Sequence, residues 1–329
     1  MSAPKTLTRV GNGPLLTRDH IPGMDPSGVF NPGAVRVEEK TLLMLRVQTR
    51  GRRTFCVPAV SPDGLDFKVA DKPTDFSGLP DLKVFHNYDA RLTWMEDQLL
   101  VTTALDTDEG CRCALWKACG NPANGFAGLG SLEFISLIGN QDTRNAVLFP
   151  EKIGGQYALL HRPNLTALDG GPLSGSAIHL CVSDDLQVWQ DQGPIMTGNF
   201  HFWDELIGSG PPPIKTRHGW LHLYHGVATH FQSSNIYQAG AVLLDLEDPT
   251  RVLARTRDNI LEPRESWEMT GQVPNVVFPS GATVDRTDSE GFAPDDALLR
   301  VYYGAADTVV GLAESTIGAI LTCCRSEYV

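Results

Sequence analysis

Short apolar runs divided by polar turns fill this chain, and the helical period is nearly absent. Runs such as TLLMLRV, QLLVTTA, YALLHRP and WLHLYHGV are rich in Val, Leu, Tyr and Trp and are bounded by Gly, Pro and Asp, which marks them as strands. Five segments repeat one grammar: NPGAVRVEEKTLLMLRVQ from Asn31, DARLTWMEDQLLVTTA from Asp89, NAVLFPEKIGGQYALLHRP from Asn145, GSGPPPIKTRHGWLHLYHGV from Gly208, and NVVFPSGATV from Asn275. The last continues after an insertion as ALLRVYYGAAD. Each opens on a polar residue or Gly, passes through an apolar strand and a charged or Gly-bearing turn, and ends a second strand on a polar residue: Arg46, Thr102, Arg162, His225 or Asp307. The starts lie 58, 56, 63 and 67 residues apart. Further strands follow, such as TFCVPAV and SAIHLCVS, and the phrases SPDGLDF and SDDLQVW sit at equivalent places as tight turns between outer strands.

A four-strand unit repeated at this period predicts an all-β fold, a five-bladed β-propeller built by residues 1–329 as a single domain. A β-sandwich or a pair of β-domains is the alternative, but neither accounts for the even period. In a propeller the first strand of every blade lines the central channel, so distant residues converge on one axial pocket. Asn31, Asp89, Asn145, the Ile207–Gly208 region and Asn275 are expected there, with Arg46, Thr102, Arg162, His225 and Asp307 on the same rim and Arg91 and Arg144 beside them. Carboxylates, amides and cations facing one cavity suit a polyhydroxylated ligand together with an anion. Each residue type also has a plain structural use: Asp closes turns, Arg forms surface ion pairs, and semi-buried His bonds to backbone. Trp189, Trp203 and Trp220 read as blade packing rather than sugar platforms. The acidic stretch 285–296 reads as an exposed, mobile loop.

Composition narrows the field. Hydrophobic residues make up 42% of the 329, enough for a sizeable core. A net charge of -12 argues against non-specific nucleic-acid binding. No apolar run approaches the ~18 residues of a membrane helix, and the opening MSAPKTLTRV carries no long apolar stretch. A cytoplasmic protein with no membrane partner is therefore expected, and the Asn164–Thr166 glycosylation pattern is without meaning there. The cysteines are odd in number, 7, and scattered, which fits reduced thiols rather than a disulfide framework. Cys111, Cys113 and Cys119 form a loose cluster that lacks a fourth zinc ligand at a familiar spacing, so no metal is expected there.

From about Val29 to Leu312 the chain resembles glycoside hydrolase family 130, the β-mannoside phosphorylases and related β-mannosidases, which are five-bladed propellers. The matching phrases are FNPGAV, YDARLT, RNAVLFPEKIGGQYALLHRP, IGSGPPPIKTRHGWLHLYHGV, YQAGAVLLDLEDP, ILEP, VPNVVFP and YYGAAD, in that order. The resemblance implies inverting phosphorolysis of a short β-mannoside, β-1,4- or β-1,2-linked, to α-mannose 1-phosphate. Inorganic phosphate is a co-substrate, and no metal or organic cofactor is needed. The general acid carries over to Asp89 in YDAR, where the family has Pro at the place of Ala90, and it acts through a sugar hydroxyl. Phosphate-holding positions carry over to Arg144, Arg162 and His225, and sugar-holding positions to Asn31, Arg46, Arg91, Asn145 and Asp307. A phosphorylase needs no base, because phosphate is already an anionic nucleophile; an inverting hydrolase does.

One position departs from the pattern. The family has a Lys or Arg just before I-G-x-G, and this chain has Leu206. Lys215 is the candidate to compensate. The alternatives are an inverting β-mannosidase using water, with Glu205 or Asp204 as base, and a non-catalytic carbohydrate-binding propeller. Leaving-sugar contacts belong to the loops Asp169–Ser176 and Ala228–Asn235. Family members often assemble, which leaves a homo-oligomer open.

Overall fold

The computed structural model describes residues 6–139, 141–164, 175–229 and 234–325. Five antiparallel sheets follow one another along the chain. Blade 1 is Pro26–Val37, Lys40–Thr49, Thr54–Ser61 and Lys68–Val69. Blade 2 is Val84–Met95, Gln98–Thr107, Gly110–Ala118 and Ser131–Leu137, with Asp75–Ser77 added in parallel at its outer edge. Blade 3 is Thr143–Leu148, Tyr157–Pro163, Ala177–Ser183 and Gln190–Thr197. Blade 4 has its innermost strand broken into Leu206–Ser209 and Ile214–Thr216, both paired with Gly219–Ala228, followed by Ile236–Leu244 and Val252–Arg255. The break falls at the prolines after Gly210, which have no N–H for a ladder. Blade 5 is Val277–Val284, Leu298–Ala305 and Val309–Thr316, and its outer strand is the N-terminal Thr8–Arg9. The innermost strand of blade 5 lies against that of blade 1, so the sheets close a ring: a five-bladed β-propeller.

Closure by the two chain ends is pinned by an ion pair between a partly exposed arginine and a buried glutamate. Arg9 Nε and Nη2 donate to the two carboxylate oxygens of Glu268 at 2.8 and 2.7 Å. Glu268 also accepts from the Tyr303 hydroxyl and from the backbone N–H groups of Arg264 and Glu265. Burial works to raise the Glu268 pKa, but Arg9 and the two amides outweigh it and hold it low.

Apolar side chains fill the spaces between blades, because each sheet has two faces to cover. Trp116 of blade 2 is fully buried and packs edge-on against Phe76 and Phe134. Trp220 packs against Phe149 between blades 3 and 4, and Trp189 donates from Nε1 to Ser136 Oγ between blades 2 and 3. The helix Ile317–Arg325 lays Ile317, Ile320, Leu321 and Cys324 on the core shared by blades 4 and 5. The equivalent turns use one device: Asp63 Oδ1 accepts from the N–H of Leu65 and Asp66, and Asp185 Oδ1 from Gln187 and Val188. The stretch 285–296 is largely exposed, as expected, and is tied to blade 4: Arg217 bonds Asp288 and Glu290, and Ala293 is buried with its N–H on Lys215 O. Among the described residues no helix is long and apolar enough to cross a membrane.

Candidate active site

The innermost strands of blades 1 to 3 each contain a β-bulge, marked by register shifts at 30–33, 88–91 and 144–147. The residue held in each bulge has a positive φ: Asn31 at 46°, Asp89 at 54° and Asn145 at 55°. Asn275, at the head of blade 5, has φ 61°. Asn and Asp tolerate this conformation better than other residues with a Cβ. A bulge re-aims one side chain out of the pleat, and here it turns Asn31, Asp89 and Asn145 toward the axis.

The cavity they face holds about 310 Å³ and is also lined by Arg46, Arg144, Arg162, His225 and Asp307. The ladder explains the company: Arg46 pairs with Phe30, Arg162 with Arg144 and His225 with Gly208. In blade 2 the same rule selects Ala104, opposite Tyr88, and Thr102 lies one step deeper with its hydroxyl on Ala146 O. Thr102 is therefore not on the rim. Arg91, paired with Thr102, is also set back. It is fully buried, with Nε on Gly210 O at 2.8 Å and Nη1 on Asp89 O at 3.0 Å, and it does not line the cavity. Asn275 is absent from the lining too, where Val273 and Val276 stand instead.

Two charge environments share the pocket. On one side Asp89 Oδ1 accepts from Asn31 Nδ2 at 3.1 Å and Arg46 Nη1 at 3.0 Å. The Arg46 guanidinium lies over the rings of Phe30 and Tyr88, 4.7 and 4.2 Å from their centroids. Burial pushes the Asp307 carboxyl up to about 6, with Arg46 opposing and Asp89 adding to the rise. On the other side the charge is positive. Arg162 has its Nε buried without a partner and no carboxylate ion pair among the described residues. Burial, then the neighbouring Arg144, lowers its pKa. Arg144 itself is only 3.9 Å from Asp106. Burial first, then Arg162, Arg91 and His222, drives His225 well below the ordinary histidine range, so it is a neutral imidazole, and its Nδ1 is buried without a partner.

Residue patterns did not single out Tyr88, Asp106, Tyr237 or Phe278. Tyr88 donates to Asp106 at 2.7 Å, Tyr237 stacks on His225 with centroids 6.1 Å apart, and Phe278 packs 4.5 Å from the same ring. Tyr88, Tyr237 and Phe278 lie in YDARLT, YQAGAVLLDLEDP and VPNVVFP, which could have flagged them; Asp106 has no local signal. Lys215 does not compensate for Leu206: it bonds Glu151 at 2.7 Å and Glu290 O, at the other end of the channel. Asp204 is fully buried on Arg255, Tyr224 and Asn199, Glu205 bonds Thr229, and neither lines the cavity. The expected leaving-sugar loops fall largely on residues 165–174 and 230–233, outside the described residues, as do Leu165 and Thr166. A larger hollow of about 670 Å³ lies at the opposite end of blades 1 and 2, lined by Arg36, Trp94 and Lys117 among others. Its charged and amide residues, Arg36, Glu38, Asp97, Gln98, Lys117 and Asn121, are all exposed, whereas the axial pocket buries Asn31 and His225 and leaves polar atoms of Asn31, Arg46, Arg162 and His225 unpaired, so the axial pocket is the candidate site.

The fold and the pocket together define a five-bladed propeller with a polar cavity on its axis, carboxylates and amides on one side and arginines on the other. The family model described as beta-1,4-mannooligosaccharide phosphorylase matches residues 12–326, and the chain belongs to glycoside hydrolase family 130. It is 34% identical over 268 residues to a 1,2-beta-oligomannan phosphorylase of a Thermoanaerobacter species, covering 78% of this chain and 76% of that one. It is 30% identical to a beta-1,4-mannooligosaccharide phosphorylase of Ruminococcus albus, covering 95% and 89%. The solved beta-1,2-mannobiose phosphorylase of Listeria innocua, in complex with beta-1,2-mannobiose, superposes with a TM-score of 0.82 at 28% identity, covering 98% of this chain and 99% of that one.

Proposed function

We propose that the chain is an inverting β-mannoside phosphorylase. Phosphate attacks the anomeric carbon of a mannosyl unit, the glycosidic C–O bond breaks, and α-mannose 1-phosphate and the shortened sugar leave. Asp89 supplies the proton that reaches the leaving oxygen through a sugar hydroxyl. Asn31, Arg46, Asn145 and Asp307 hold the mannose. Arg91, set behind the pocket, positions the Asp89 segment through its bond to Asp89 O. Arg144 and Arg162 hold phosphate, and His225 adds a neutral N–H donor.

The observation that carries this reading is Arg162: a half-buried guanidinium beside a second one, with its Nε buried and unpaired and no carboxylate ion pair among the described residues. Such a group is costly unless an anion joins it, and a bidentate Arg–phosphate contact is that remedy. Water offers no comparable partner. The relatives named above act on β-1,2- and β-1,4-linked substrates, so both linkages are candidates for the leaving sugar. Hydrolysis through Glu205 or Asp204 is not supported, since each is bonded elsewhere.

The test is product analysis from β-1,2- and β-1,4-mannobiose and mannosylglucose, with and without inorganic phosphate. Mannose 1-phosphate that appears only with phosphate is expected. Free mannose at an unchanged rate without phosphate overturns the phosphorylase reading in favour of a mannosidase. Binding without turnover of any substrate would leave a non-catalytic propeller.

A further inference from the structure

Blade 3 gathers a second set of groups on one face, away from the axial pocket. His161 lies on its second strand, His179 and Cys181 on the third and Asp191 on the fourth. His161 is directly opposite His179, and Cys181 is directly opposite Asp191. His161 Nε2 stands 3.3 Å from Cys181 Sγ and 3.5 Å from Asp191 Oδ2, and the three atoms lie within 4.8 Å of one another. A single imidazole N–H cannot point squarely at both a sulfur and a carboxylate. One metal ion can serve all three. A tetrahedral zinc with N at ~2.0–2.1 Å and S at ~2.3 Å sets its ligand atoms about 3.3–3.6 Å apart.

The surroundings orient these atoms as a metal site requires. His161 Nδ1 is 2.8 Å from Thr143 Oγ1, and an Nδ1–H donated there leaves the Nε2 lone pair facing Cys181 and Asp191. His179 Nδ1 donates to Asp191 Oδ1 at 3.0 Å, and Gln141 Nε2 donates to Oδ2 at 2.9 Å. Partners of this kind fix ring and carboxylate orientation around bound metals. His161 and Cys181 are buried, whereas the Asp191 side chain is 31% exposed and gives an ion a way in.

We propose that His161 Nε2, Cys181 Sγ and Asp191 Oδ2 form a binding site for a divalent ion of the zinc class, with water as the fourth ligand. Cys181 loses its thiol proton to solvent as the metal–sulfur bond forms. The mixed N, S and O donor set suits zinc or cobalt over calcium or magnesium. The ion ties together the second, third and fourth strands of blade 3, and the residue after His161 is Arg162 of the axial pocket. The site takes no part in the chemistry proposed above and stands independently of it.

The test uses the full chain, freed of metal with a chelator and titrated with zinc by calorimetry and with cobalt(II) by absorption. One zinc per chain is expected, with a thiolate-to-cobalt charge-transfer band in the near ultraviolet. Cys181→Ser should abolish the band and weaken zinc by at least about 100-fold, and Thr143→Val should weaken it about 10-fold. Cys119→Ser, at an exposed thiol elsewhere, should change neither. No saturable zinc binding overturns the site, and so does a cobalt band that survives Cys181→Ser. Should Cys181→Ser fail to fold, Asp191→Asn, at the partly exposed ligand, decides: unchanged zinc affinity overturns the proposal.

Discussion

At the scale of single residues, the pocket is a contrast between two arginines. Arg46 is matched by Asp89 and Asp307, whereas Arg162 is matched by nothing acidic among the described residues. Removing Arg162 should therefore act on phosphate and spare the sugar. Arg162→Gln is expected to raise KM for phosphate about 10- to 100-fold, the worth of a charge-assisted contact, with KM for the mannoside little changed; initial rates at varied phosphate check this. Asp89→Asn should lower kcat about 100- to 10,000-fold, as loss of a general acid does. The Asp307 carboxyl has a raised pKa near 6. A raised carboxyl binds more protons folded than unfolded, so its contribution to stability falls as pH rises from the ordinary Asp range through about 6. With the ionised form accepting from mannose hydroxyls, kcat/KM gains an acid limb near 6 that belongs to Asp307. Asp307→Asn should remove that limb; a profile identical to wild type would count against Asp307 as the group involved.

At the scale of elements, the bulge decides what reaches the axis. Asn31, Asp89 and Asn145 were legible because a polar residue opens each repeat, and their left-handed φ gives the reason: each is lifted out of the pleat. Arg91 and Thr102 show the limit of that reading. Alternation puts them on a face that looks inward, but the bulge displaces the ladder, and both end one step behind the cavity. Close approach of neighbouring blades adds a second constraint. A Cβ on Gly304 would strike Asn31 Oδ1. Gly304→Ala is expected to raise KM for the mannoside while leaving KM for phosphate near the wild-type value, since the collision falls on the sugar side. The proposed metal site escaped the sequence for a related reason. Its ligands come from three strands with no familiar spacing, whereas the visible Cys111–Cys119 cluster has Cys111 and Cys113 buried in their strand and Cys119 exposed.

At the scale of the whole molecule, the ring is held by joining the first strand to the last blade. Arg9 and Glu268 staple that joint, 259 residues apart. Glu268→Ala leaves the partly exposed Arg9 guanidinium, the Tyr303 hydroxyl and two backbone N–H groups without their acceptor and is expected to cost about 1–3 kcal/mol, measured as a lower denaturation midpoint. The lowered Glu268 pKa sets the sign with pH: the stabilisation is present above the ordinary glutamate range and is lost as pH falls through the depressed folded value. Acid unfolding of Glu268→Gln should accordingly be shallower than that of the wild type.

Taken by itself, the sequence determined the repeat, the five blades and most of the residues gathered at the axis. These follow from local rules: strand period, turn residues and a polar opening to each unit. Tertiary structure alone decided the rest. It sent Lys215 to the far end of the channel, locked Asp204 onto Arg255, set Arg91 behind Asp89, and brought Tyr237 and Phe278 against His225. The reason is physical. A side chain's direction is set by its own strand, but its partners come from neighbouring blades, whose distance and register no local pattern encodes.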